Sequence, residues 1–195
     1  GSDANIALAK AIAESQNKEA IKQLVVNLKN RDKKIQADCI KVLYETAYIE
    51  PRLISDYYHD FLLLLSSKKN RLVWGGMIAL MTIADLQHKS LFSSLDLISK
   101  TIEKGSVITI DSGVGILANL NKHNEYSGKV DPLLTEVLWN CPIKQLPQYM
   151  EKTLVSITAR NKEIYQKIIT ERESECDKES QRKRLEKILK KIQQL

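Results

Sequence analysis

Seven glycines and four prolines in 195 residues are too few for the tight turns that a fold of many short strands requires. An all-β architecture is thereby set aside. Three cysteines, Cys39, Cys141 and Cys176, are odd in number and far apart. They cannot close a disulfide framework, and no two have metal-ligand spacing. Reduced thiols are expected, two of them buried. The three histidines, His59, His88 and His123, share no helical spacing and are too few to converge on a metal or a proton-transfer site. No Ser/His/Asp, Cys/His or paired-carboxylate arrangement follows from the order of residues, so nothing here supports an enzyme. No cofactor and no metal is expected. The longest apolar stretch, Leu72 to Ala84, falls short of the roughly 18 residues of a membrane span. No signal peptide is visible, and Gly1-Ser2 has the look of an expression remnant. A cytoplasmic protein without a membrane segment is the expectation.

What is present points to helices. The chain is 43% hydrophobic and 28% charged, an ordinary folded composition. Leu, Ile, Lys, Glu, Ala and Gln, mostly good helix formers, dominate. The length suits a single domain over 1–195, since one core grows to roughly 250 residues before splitting. The net charge is +6 and is concentrated late, with 11 basic and 7 acidic residues between Arg160 and Leu195. That bias permits nucleic acid or acidic partners without requiring either.

Taken in order, Asp3 to Ser15 is an Ala-rich amphipathic helix. Asn17 can cap a helix from Lys18 to Leu28 with Ile21, Leu24, Val25 and Leu28 inward. Asp32 can cap the next, Lys33 to about Tyr48, with Ile35, Cys39, Ile40, Leu43 and Ala47 inward, and Pro51 ends it. The pair then repeats: Tyr58 to Leu65, a polar turn, and Arg71 to Leu86. A shift of 37 residues aligns Cys39, Gly76, Gly113 and Met150 in the second helices. It also aligns Leu43, Leu80, Leu117 and Leu154, then Thr46, Ile83, Leu120 and Ile157. In the first helices it aligns Leu24, Phe61 and Ile98, then Leu28, Leu65, Ile102 and Trp139. The fourth unit slips by one at its first helix, where Leu134 and Leu138 take the apolar places. Asn161 to Arg172 and Gln181 to Ile192 form a last pair.

Two short helices per repeat of this length are the sequence mark of an α-solenoid. Apolar spacing, a small residue in mid-helix and a polar turn before the second helix resemble the HEAT and HEAT-like (armadillo-type) repeat family over Asn17 to Ile192. Tetratricopeptide repeats have a shorter period and a Trp/Gly/Tyr pattern that does not recur here. The resemblance implies an all-α, right-handed α-α superhelix of about five helix pairs, capped by helices at 1–16 and 175–195. It also implies that the second helices line a concave side.

One stretch imitates another chemistry. Val107 to Ala118 could begin as a strand, and Gly113-x-Gly115-x-x-Ala118 fits a dinucleotide-binding spacing, with Asp131 downstream. No second strand follows, and the repeat explains Gly113 and Leu117 without a cofactor. The outward faces of the second helices are more informative. The first is charged through Asp38, Lys41 and Glu45. The second carries Gly75, Ile78, Ala79 and Thr82, and the third Ser112, Gly115, Ile116 and Asn119. An apolar face rimmed by Arg71, Trp74, Asp111, Asn119 and Lys122 marks a binding or self-association surface, unless the N-terminal helix packs over it. Trp139 falls at a core place, whereas Trp74 beside Arg71 could anchor a peptide or stack on a base. Gln181 to Lys191 is basic along one face and apolar along another, as a terminal capping helix would be.

These residues lead to a non-enzymatic scaffold that binds a protein or peptide in the concave groove, with Arg71, Trp74, Ile78, Asp111, Ser112 and Asn119 as candidates. The alternative is nucleic-acid binding, because some glycosylases for alkylated DNA bases look similar at the level of HEAT-like helices. Trp74 and Asp111 would then be the working pair, although the groove is not visibly basic. A homodimer through the same face is the third option.

Overall fold

The computed structural model describes residues 2–195; Gly1 lies outside the described residues. Among them are twelve α-helices, a few short 3-10 turns and no strand. Contacts within the chain divide it into a first unit, residues 1–113, and a second, residues 114–195.

The first unit contains α1 (Ser2–Ser15), α2 (Lys18–Asn27), α3 (Lys33–Ile49), α4 (Tyr58–Leu64), α5 (Asn70–Thr82), α6 (His88–Ser93), α7 (Leu95–Glu103) and the start of α8 (Val107–Asn121). Its local signals act as expected. The side chain of Asn17 accepts from the Ala20 N–H at 2.9 Å, and that of Asp32 accepts from the Lys34 N–H at 2.7 Å. Each relieves an orphan donor in a first helical turn. α3 packs on α1, α2 and α5, and α4 packs on α5. α1 therefore covers one flank of α3, joined by the Asn5 amide donating to Asp38 at 2.9 Å. Ala9, Thr46 and Ile83 are buried, and each is one repeat from the next. The N-terminal helix thus occupies the place of a preceding second helix.

The mid-helix glycines have a steric cause. A Cβ on Gly113 would stand 2.3 Å from Ile102 Cγ1, and one on Gly76 would stand 3.1 Å from Leu64 Cβ. Both glycines let a second helix close on the first helix of its own pair.

The second unit contains the rest of α8, α9 (Asn124–Asn140), α10 (Leu146–Thr153), α11 (Lys162–Arg172) and α12 (Glu179–Gln193). α12 packs on α10 and α11, and α9 contacts α10 and α11. Arg172, itself buried, donates to the Leu138 carbonyl at 2.7 Å and grips Glu175 through two bonds. The phenol of Tyr165 donates to Asp131 at 2.5 Å, and the Asn121 amide donates to the same carboxylate oxygen at 2.7 Å. Leu134 and Leu138 are fully buried and Trp139 is only half-buried, so the one-residue slip at this helix is real and displaces the tryptophan from the core.

Beside the displaced Trp139, four details differ from the sequence reading. Ile35 is 40% exposed, because α3 turns Gln36 inward instead. The Gln36 amide donates to the Leu28 carbonyl at 3.0 Å and accepts from Lys69. The central helix stops at Thr82 rather than Leu86, and the short α6 intervenes before α7. Val107 to Ile110 is helical from its first residue, which removes the strand that a dinucleotide site would need. All three cysteines are buried free thiols rather than two.

Candidate functional site

The most distinctive surface of the first unit lies where α3 meets α5. A Cβ on Gly75 would stand 2.7 Å from Ile40 Cγ1 and 3.1 Å from Ile40 Cγ2. Its absence allows the two helices to approach and sets Trp74 of α5 against Tyr44 of α3. Their ring centroids are 6.2 Å apart at 53°. Tyr44 in turn meets Tyr48 edge-on, at 6.2 Å and 79°. The spacing of four residues places both tyrosines on one helix face. The result is an aromatic run from interior to solvent: Tyr44 buried, Trp74 half-buried, Tyr48 56% exposed.

Charges surround this run. Burial, followed by Glu45 and Tyr48, pushes the Tyr44 phenol up to about 12, with the Arg71 guanidinium opposing the rise. Burial also raises the Tyr48 phenol, helped by the carboxylates of Glu45 and Asp111. Both phenols are neutral donors at ordinary pH, beside one cation and two carboxylates. Such a surface offers flat apolar area with a polar tip at each ring. Nothing in it resembles a nucleophile with its base. The thiols offer none either, since burial is the chief cause of the upward shift at Cys39, Cys141 and Cys176 alike. Among the described residues no three His, Cys, Asp or Glu side chains converge as a metal site would.

The six residues expected in the groove separate into three groups. Arg71, Trp74 and Asp111 gather around the tyrosine pair. Ile78 and Ser112 do not line a surface: they are 9% and 1% exposed. Gly75 and Ala79 are buried as well, so the apolar side of α5 is packing surface, part of it against α3. Asn119 belongs to the second unit, where its amide donates to the Gly115 carbonyl of its own helix at 2.9 Å. Tyr44 and Tyr48 were missed. Their signal is an aromatic pair at i, i+4 on the second helix that precedes the one bearing Trp74.

The second unit has a smaller polar depression of about 230 Å³ beside Asn121, Asp131, Arg160 and Asn161. Its groups chiefly bond one another. Asn161 donates to Asp131 at 3.2 Å, and Arg160 donates to Asn124.

No family model matches the chain, and no curated protein matches it. Solved structures do. A designed armadillo repeat protein in complex with the peptide (KR)4 aligns with 93% of this chain and 84% of its own, at a TM-score of 0.67 and 16% identity. An engineered protein aligns with 99% of this chain and 90% of its own, at 0.66 and 17%. A computationally designed armadillo repeat protein for modular peptide recognition aligns with 96% and 91%, at 0.65 and 18%. Identities this low bear on architecture alone, and the architecture is plain: the chain has the all-helical, armadillo-like repeat fold.

Proposed function

We propose that the chain is a non-enzymatic helical-repeat scaffold that binds a protein or peptide on the α3–α5 surface of its first unit. The observation that carries this reading is the Tyr48–Tyr44–Trp74 run with Arg71, Glu45 and Asp111 beside it. Aromatic residues and arginine dominate the energetics of protein interfaces, because they bury large area with few rotatable bonds and keep a hydrogen-bonding end. Two of the similar structures are peptide-recognition proteins, one of them with its peptide, which supports the same use of the fold here. Binding is favoured over catalysis because the accessible groups are aromatic and charged whereas the thiols are buried. At Tyr48 itself the carboxylates of Glu45 and Asp111 favour an apolar side chain over a phosphate, which would seek cations there.

The test begins with peptides selected against the wild-type chain from a random display library. Trp74→Ala should weaken their binding by at least about 30-fold, the loss of roughly 2 kcal/mol that marks an anchoring residue. Trp139→Phe, in the second unit, should leave binding unchanged. Equal affinity for wild type and Trp74→Ala would remove the surface from consideration.

A further inference from the structure

Next to Arg71 the first unit holds an open cavity of about 670 Å³, bounded by α1, α3 and α5. Five cations line it, Lys33, Lys34, Lys41, Lys69 and Arg71, against one carboxylate, Asp38. That carboxylate already accepts from the Asn5 amide, and Lys69 donates to the neutral Gln36. Lys33, Lys34 and Arg71 are exposed and, among the described residues, make no ion pair. Like charges gathered in one concavity repel each other and raise the local potential, so the cavity is left wanting an anion.

The repeat explains how the cluster arises. Lys34 and Arg71 are equivalent positions one repeat apart, each in the first turn of a second helix. The next equivalent is Ile108, which is 46% exposed and uncharged. The cations are therefore confined to the first two second helices. The start of α5 adds to the field: no side chain caps it, and although the Leu72 N–H donates to the Lys69 carbonyl at 2.9 Å, the positive end of the helix is left without a carboxylate of its own. The start of α3, by contrast, is closed by its own Asp32.

We infer that the partner of the α3–α5 surface is an acidic peptide segment, whose Asp or Glu side chains enter the Lys33–Lys34–Lys41–Lys69–Arg71 cavity while an apolar neighbour rests on Trp74 and Tyr48. This rests on the peptide-binding reading above and specifies its charge. Arg71 is the hinge between the two features, because it lines the cavity and also acts on Tyr44. The charge preference is opposite to that of a protein whose ligand is a Lys/Arg repeat, although the fold is the same. Exposed cations of this kind act by long-range attraction, so they set partner choice and association rate and lose force as salt screens them.

The experiment is a random peptide display selection on the full chain and on Lys34→Glu/Arg71→Glu. Both positions are exposed, and far-UV circular dichroism will confirm that the variant is folded. The wild type should enrich peptides rich in Asp and Glu. A selected acidic peptide should bind the variant at least about tenfold more weakly, and should bind the wild type several-fold more weakly when salt is raised well above physiological strength. Selection of peptides without acidic enrichment, or of basic ones, would overturn the charge inference and leave the peptide reading standing. Failure to enrich any peptide would overturn the peptide reading itself. A duplex oligonucleotide that binds as tightly as the acidic peptide and is equally weakened in the variant would overturn the assignment of a peptide partner to the cavity.

Discussion

Replacing Gly75 by alanine tests whether the approach of α3 and α5 depends on one missing methyl group. On an exposed helix this change would stabilise the chain by about 0.5–1 kcal/mol, because glycine costs that much in a helix interior. Here the new Cβ would meet Ile40 Cγ1 at 2.7 Å and Cγ2 at 3.1 Å. Both branches of the isoleucine face the glycine, and a β-branched side chain in a helix has essentially one χ1 rotamer. Relief must come from the backbone, at about 1–3 kcal/mol for overpacking. The net expectation is a loss of roughly 1 kcal/mol. Ile40→Ala supplies the control. It removes both branches and costs about 2–5 kcal/mol by itself, as a fully buried side chain should. In that background Gly75→Ala should become stabilising by about 0.5–1 kcal/mol, giving a coupling of about 1–3 kcal/mol. Ile40→Val retains both γ-carbons and should leave the penalty in place. Urea unfolding of the single and double variants, followed by circular dichroism, reads all these values. If Gly75→Ala stabilised the wild type as an exposed glycine would, the packing of Trp74 against Tyr44 would need another explanation.

Three further outcomes follow from the same side chains. Arg172→Leu leaves the Leu138 carbonyl and Glu175 without their partner and should destabilise the chain by about 3 kcal/mol in urea unfolding; a loss below about 1 kcal/mol would show that water replaces the guanidinium. The raised phenols of Tyr44 and Tyr165 contribute stability that is complete below their unfolded value near 10 and declines as pH rises toward about 12 and beyond, so unfolding midpoints should fall over that range and fall less in Tyr44→Phe/Tyr165→Phe. The three buried, upward-shifted thiols should react slowly with Ellman's reagent in the native protein and quickly in urea; fast reaction of all three in the folded chain would contradict their burial.

The repeat was legible because its apolar places are set by distance along the chain. Leu43, Leu80 and Leu117 recur at one spacing and are all buried. The caps at Asn17 and Asp32 were legible because a short polar side chain before an apolar period has one common use. Ile78 and Ser112 were misplaced because periodicity shows that a face is apolar but not which neighbour covers it; burial, with the missing Cβ of Gly75 bringing α3 close, decides the matter. Gln36 was missed because a polar residue can enter the core once it finds the Leu28 carbonyl, and no pattern announces a partner eight positions back. The six-residue α6 is too short to show a period. The cation cavity was split in the sequence between two turns, Lys33-Lys34 and Lys69 to Arg71, and only the stacking of repeats joins them.

The central claim is that Trp74 sits in the partner's footprint. Trp139→Phe leaves Trp74 as the single tryptophan, since the chain has two, and acrylamide quenching then reports the exposure of that ring alone. On saturation with a selected peptide, quenching of Trp74 should fall severalfold and its emission should move to shorter wavelength, as a half-buried ring becomes covered. A peptide that binds while quenching and emission stay unchanged would place the footprint elsewhere and contradict the account.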